Sequence, residues 1–212
     1  MKTALIAGST GLIGGQLLRL LLNSDRYEKV IALTRQPLSP HNKLVEIAIR
    51  KDSFVPLDPT WRIDDVFCCL GTTMAKARSK EKFYQVDFTY PLELAKKGLA
   101  LGAKQYLIVS ALGAAKNSKI YYNQVKGEIE EAVSSIGFET VHIFRPSLLL
   151  GQRAEQRSTE DAAKIFYKIF GFLIPRKYKA IDSLKVACAM LHFAAAEQTG
   201  NIIHESDEMQ QF

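Results

Sequence analysis

Three features of the sequence predict a doubly wound α/β domain on a parallel sheet. Short apolar runs alternate with helical patterns, the runs are almost continuously apolar, and a glycine-rich turn joins the first run to the first helix. "TALIAG" reads as the first strand, "GLIGGQLLRLLLNS" as a helix with Leu17, Leu18, Leu21 and Leu22 on one stripe, and "KVIALT" as the second strand. "LVEIAIR" and "DVFCCL" follow as strands. A helical stretch then runs from about Lys80 to Leu101, with a break expected at Pro91. "QYLIVS", the helix "NQVKGEIEEAVSSI" and the strand "ETVHIFR" complete the alternation.

Beyond Pro146 the pattern loosens into a polar loop, an aromatic helix "AAKIFYKIFGFL", a basic turn "IPRKYK", a helix "SLKVACAMLHFAAAE" and a last short strand "NIIHE". One domain over residues 1–212 is expected, with 151–199 forming a small substrate-covering lobe.

Composition narrows the function classes. Lys plus Arg number 28 against 22 Asp plus Glu, a net charge of +6 without any run of like charge, which suits anionic small molecules and argues against nucleic acid as partner. The apolar stretches fall short of the ~20 residues that span a bilayer. Three cysteines make neither a disulfide framework nor a metal spacing, and no signal peptide is recognised, so a reducing, cytoplasmic location is expected.

Gly8, Gly11 and Gly14 in "AGSTGLIGG" sit where the first strand turns into the first helix. Glycines there let backbone approach a pyrophosphate at the helix N-terminus, and Ser9 and Thr10 add donors. A turn that merely packs helix on strand is the plainer alternative. The second strand ends at Thr34 and Arg35, where an NAD site would place an acidic residue for the ribose hydroxyls. An arginine there pairs with a 2′-phosphate, so NADP is preferred, with NAD second. Asp52 stands either against the adenine or in a turn.

Tyr122 and Lys126 form the chain's one Tyr-x-x-x-Lys pair, a spacing that about 0.7 pairs would meet by chance given 8 tyrosines and 18 lysines. On a helix they share a face, whereas Tyr121 points about 100° away. A cation beside a phenol favours its ionised form and brings it toward acid–base use. Ser110 closes the fifth strand, where a doubly wound sheet builds its site, and is expected to orient or polarise a substrate carbonyl.

Taken together, Gly8 to Gly14, Ser110, Tyr122 and Lys126 resemble the short-chain dehydrogenase/reductase superfamily, which implies a Rossmann fold that binds NAD(P). "CCLGTT", "YNQVKGEIE" and "FRPSLLLGQR" resemble its atypical branch, typified by the Tat-interacting oxidoreductase-like proteins. The resemblance implies that Gly8, Ser9, Thr10, Gly11, Leu12, Ile13 and Gly14 line the pyrophosphate turn and that Arg35 meets the 2′-phosphate. It places Leu70, Gly71 and Thr72 by the adenosine and ribose, Tyr122 and Lys126 by the nicotinamide ribose, and Arg145, Pro146, Ser147 and Leu148 on the nicotinamide side. Ser110, Tyr122 and Lys126 match the catalytic triad. The asparagine that many relatives carry ahead of the fifth strand has no clear match; Asp87 is nearest.

The remaining features read as structural. His41, His142, His192 and His204 show no metal spacing, and no metal is expected; Cys68 and Cys69 read as packing; Arg176, Lys177 and Lys179 read as a solvated loop. Phe166, Tyr167, Phe170 and Phe172 read as core and lid together. The leading expectation is an NADP-dependent oxidoreductase acting on a small carbonyl or hydroxyl substrate. An NADPH-binding regulatory or scaffold protein is the rival, a nucleotide-sugar epimerase or dehydratase the third reading. A homodimer or a protein partner is compatible with the sequence.

Overall fold

A seven-stranded parallel sheet organises the described residues of this computed structural model, which are 1–49, 57–150, 175–196 and 198–212. Its strands are β1 (Lys2–Ala7), β2 (Tyr27–Thr34), β3 (Leu44–Ala48), β4 (Asp65–Cys68), β5 (Gln105–Val109), β6 (Thr140–Arg145) and β9 (Gly200–Glu205). They lie in the order β3-β2-β1-β4-β5-β6-β9, and every neighbouring pair is parallel. The chain reverses direction across the sheet between β1 and β4, which opens a crevice at their carboxyl ends. Central strands carry the apolar runs: all of β4 is buried and β1 is buried from Thr3 to Ala7, whereas edge strands β3 and β9 are partly exposed.

Helices cover both faces. On one, α1 (Leu12–Asn23) packs its Leu17, Leu18 and Leu21 stripe with Val186, Ala187 and Met190 of α6 (Ser183–Ala195). On the other, Leu94 and Ala95 of α4 (Tyr90–Ala100) and Ile129 and Val133 of α5 (Tyr121–Ser134) meet Val66, Tyr106 and Ile143. The doubly wound expectation is borne out. A two-stranded pair, β7 (Leu149–Leu150) with β8 (Ile181–Asp182), continues from β6, and α7 (Ser206–Met209) follows β9. The aromatic helix at 162–173, Asp52 and residues 151–174 of the expected 151–199 lobe lie outside the described residues.

The long helical stretch breaks earlier than expected. After α2 (Met74–Ala77), α3 (Lys80–Tyr84) runs into a wide π turn at Gln85–Thr89, and α4 then begins with Pro91 in its first turn. Proline has no N–H for the carbonyl of Asp87 four residues back, so the ladder widens ahead of it, and the Tyr90 amide reaches Gln85 instead. The widened turn buries the Asp87 side chain. Helix α5 also starts sooner than the pattern suggested, with Tyr121 and Tyr122 as its first residues.

Candidate active site

The glycine turn at the end of β1 is built by close backbone contact. Gly8 has φ +85°, and its carbonyl accepts from the Gly11 amide at 2.9 Å. A Cβ on Gly8 would stand 2.4 Å from the Cys69 carbonyl oxygen, and one on Gly14 would stand 2.1 Å from the Gly8 oxygen. Gly14 thus serves helix–strand packing, and the side chain of Ile13 is buried in the core, so only the backbone of these two is available to a ligand. Thr10 and Gly11 are exposed, and Leu12 is half-buried.

Two features of the turn suit a pyrophosphate. Gly11 caps α1 without a side-chain hydrogen bond, and the first turn carries no acidic residue, so no side chain of the turn offsets the positive end of the helix dipole. The buried Ser9 hydroxyl has no partner among the described residues, an arrangement that a bound acceptor would complete. The residues present therefore fit a dinucleotide's phosphates. Arg35 is exposed just past β2, and Thr34 turns its hydroxyl onto the Gln36 carbonyl, at 2.7 Å.

At the end of β4, Leu70 packs against the core, Gly71 is exposed, and the Thr72 amide donates to Asp87 Oδ2 at 2.9 Å. Asp87 Oδ1 lies 2.7 Å from Lys126 Nζ, both side chains being almost fully buried. The two groups form a close, buried ion pair. Burial pulls the Lys126 ammonium down, but Asp87 and the Tyr122 phenol outweigh it and hold its pKa above the usual lysine value. Lys126 is thus a buried cation one helical turn from Tyr122, beside Gly71, where a Cβ would meet its Nζ at 3.7 Å. Phe83 packs on both tyrosines, with ring centres 5.9 Å from Tyr121 and 5.5 Å from Tyr122. Tyr121 turns its hydroxyl away, to the Lys80 carbonyl at 3.1 Å.

Ser110 departs from its expected role of donor to a substrate carbonyl. Its hydroxyl donates to Glu130 Oε1, and Glu130 is held by Arg145 through Nε to Oε1 at 3.0 Å and Nη2 to Oε2 at 2.5 Å. Arg145 also reaches Glu205 at 3.4 Å, as does Lys177. Arg145 is therefore an internal tie rather than a free contact for nicotinamide, because two carboxylates flank it. Ser147 is likewise spent: it donates to the Lys179 carbonyl and accepts from Ser206 at 2.9 Å. Pro146 is buried, with its carbonyl bonded to the Leu112 amide, and Leu148 is the exposed member of that group.

The sequence offers Asp87 only as the nearest match for an absent asparagine, and its motifs by themselves do not mark Glu130 or Glu205. Tyr122, Lys126 and Glu130 recur every four residues and so share one helix face, a signal that was there to find. Burial raises the thiols of Cys68 and Cys69, consistent with packing. Among the described residues no group of His, Cys, Asp and Glu could hold a metal ion, and no helix is long and apolar enough to cross a membrane.

Comparison with known proteins agrees with this architecture. Protein FMP52, mitochondrial, of Candida glabrata is 40% identical over 156 residues, 73% of this chain and 66% of that protein. Protein FMP52, mitochondrial, of Debaryomyces hansenii is 33% identical over 93% of this chain and 89% of its own, and Protein HTATIP2 of Rattus norvegicus is 34% identical over 95% and 84%. Among solved structures, MoeE5 in complex with UDP-glucuronic acid and NAD superposes with a TM-score of 0.71 at 17% identity, covering 95% of this chain and 75% of that one, a likeness of fold. The cytoplasmic expectation is overturned by the yeast relatives, which are named as mitochondrial. The model of the NAD dependent epimerase/dehydratase family matches residues 4–169, and the chain belongs to that family.

Proposed function

We propose that the protein is an NADP-dependent oxidoreductase of the atypical short-chain class, acting on a small carbonyl or hydroxyl substrate in a mitochondrial setting. The buried Lys126 cation one turn from Tyr122, at the carboxyl ends of the central strands, carries the reading. A bound nicotinamide would supply the hydride donor or acceptor. The Gly8–Gly11 backbone and Ser9 would hold its phosphates, and Arg35 the 2′-phosphate. Tyr122 gives a proton to the substrate oxygen in reduction and takes it in oxidation, while Lys126, steadied by Asp87, keeps a positive charge beside the phenol. A small molecule as substrate, without nucleic acid or membrane, suits the scattered charge.

Fluorescence titration of the purified chain with NADPH and NADH, followed by a panel of carbonyl compounds, tests this. Arg35→Ala is expected to weaken NADPH by roughly ten- to a hundredfold, the worth of one charge-assisted hydrogen bond, with little change for NADH. Equal losses would remove the basis for choosing NADP. Tight binding without oxidation of NADPH by any carbonyl, unaltered in Tyr122→Phe, would favour a regulatory NADPH-binding protein.

A further inference from the structure

Among the described residues, the hydrogen of Ser110 has one acceptor, Glu130. Glu130 Oε1 already accepts from Arg145 Nε, Oε2 accepts from Nη2, and a carboxylate held by a guanidinium offers only lone pairs. A serine oxygen in hydrogen-bond contact with that carboxylate must supply the proton, since two facing sets of lone pairs would repel. Ser110 and Glu130 are both buried, so water does not compete freely for the bond. The Ser110 amide is also engaged, by the Phe144 carbonyl at 2.7 Å, which fixes the residue between β5 and β6.

We propose that Glu130, locked by Arg145, is a positioning residue that turns Ser110 into a hydrogen-bond acceptor. The proposal rests on the reading of the carboxyl ends of these strands as the acid–base site. Its consequence is a division of labour. A substrate carbonyl at the site receives no hydrogen from Ser110, and its oxygen is served by Tyr122; what Ser110 can hold is a hydroxyl or amide hydrogen offered by the ligand or by the phenol. The tie reaches further, because Arg145 leans on Glu205 at the end of β9. Three strand ends and the middle of α5 are thereby fixed around one serine oxygen.

The hydrogen's location is directly measurable in the chain of 212 residues labelled with ¹³Cβ serine. In equal parts of H₂O and D₂O, a serine hydroxyl that exchanges slowly splits its Cβ resonance into two lines. Ser110→Ala, which leaves the Glu130–Arg145 pair in place, identifies the line. Two lines are expected in the wild type, both without ligand and with saturating NADPH. In Glu130→Gln, whose neutral amide holds the hydrogen less firmly, they should merge into one. A single line in the wild type, or merging on addition of NADPH, would overturn the proposal, the second result meaning that the hydroxyl turns to the ligand. Should Glu130→Gln fail to fold, the wild-type spectra with and without NADPH decide alone. NADPH titration by fluorescence runs alongside: absence of binding would retire the oxidoreductase reading, while the wild-type splitting would still decide where the Ser110 hydrogen lies. Where a carbonyl substrate is turned over, Ser110→Ala should lower kcat by less than tenfold, with most of its effect on KM. A loss in kcat matching that of Tyr122→Phe would restore the serine as donor.

Discussion

Tyr121 and Tyr122 are chemically identical and adjacent, yet their surroundings separate them. Tyr122 shares a helix face with Lys126, whereas the Tyr121 hydroxyl is spent on the Lys80 carbonyl and the Lys80 ammonium lies 5.0 Å from its ring centre. Loss of a general acid–base group typically costs about 10²–10⁴-fold in rate. Tyr122→Phe is therefore expected to lower turnover within that range without weakening NADPH by more than a few-fold, and Tyr121→Phe to cost less than about threefold, the size of one exposed hydrogen bond. Steady-state kinetics on both variants with the same carbonyl substrate would check this, and equal losses would show that the helix face was wrongly assigned.

At the scale of elements, the turn between β1 and α1 and the seat of α5 depend on missing side chains. Gly8 meets the Cys69 carbonyl just past β4, Gly14 meets Gly8, and Gly127 of α5 meets the loop that follows Ser110, where a Cβ would stand 2.2 Å from the Lys116 nitrogen. Alanine at Gly8 combines an unfavourable positive φ, about 1–2 kcal/mol, with overpacking of about 1–3 kcal/mol. A loss of about 2–5 kcal/mol is expected in urea unfolding. Gly137, with φ +110° and nothing within 4 Å of its Cβ position, supplies the control, since alanine there should cost only the backbone share, about 1–2 kcal/mol. Similar losses at the two sites would mean that the close contact contributes little.

For the molecule as a whole, the last strand is bound in through a buried pair of histidines. His142 Nδ1 lies 3.0 Å from His204 Nε2, and His204 Nδ1 lies 3.0 Å from Glu208 Oε2. With Glu208 as acceptor, His204 bears its hydrogen on Nδ1 and His142 donates along the same line, leaving His142 Nε2 bare and buried. Phe144 and Phe193 stack on His204, and His192 packs on Phe193 at the same end. Burial, then His204, lowers His142 from the ordinary 6.5 to about 4; burial also lowers His204, against the pull of Glu208. The unfolded chain takes up the proton first, so this stability is complete above about pH 6.5 and is lost as pH falls toward about 4, by up to about 3 kcal/mol for His142. Urea midpoints measured across that window should fall, and His142→Phe should flatten the slope; an unchanged slope in the variant would assign the acid loss to other groups.

Much of this protein was legible without its structure. Apolar runs of strand length, the leucine stripe of α1 and the glycine turn follow from local periodicity and backbone freedom, so they specify the parallel sheet and where its crevice opens. The Tyr122–Lys126 relation is likewise helix geometry. What no local rule supplies is pairing between groups distant along the chain. Lys126 finds Asp87 because Pro91 widens the turn that buries that carboxylate, Arg145 is drawn between Glu130 and Glu205, and Ser110 yields its hydrogen to Glu130. Side-chain charges in a buried setting must find partners wherever the sheet brings them, and those partners decided which predicted residues stay available to a ligand.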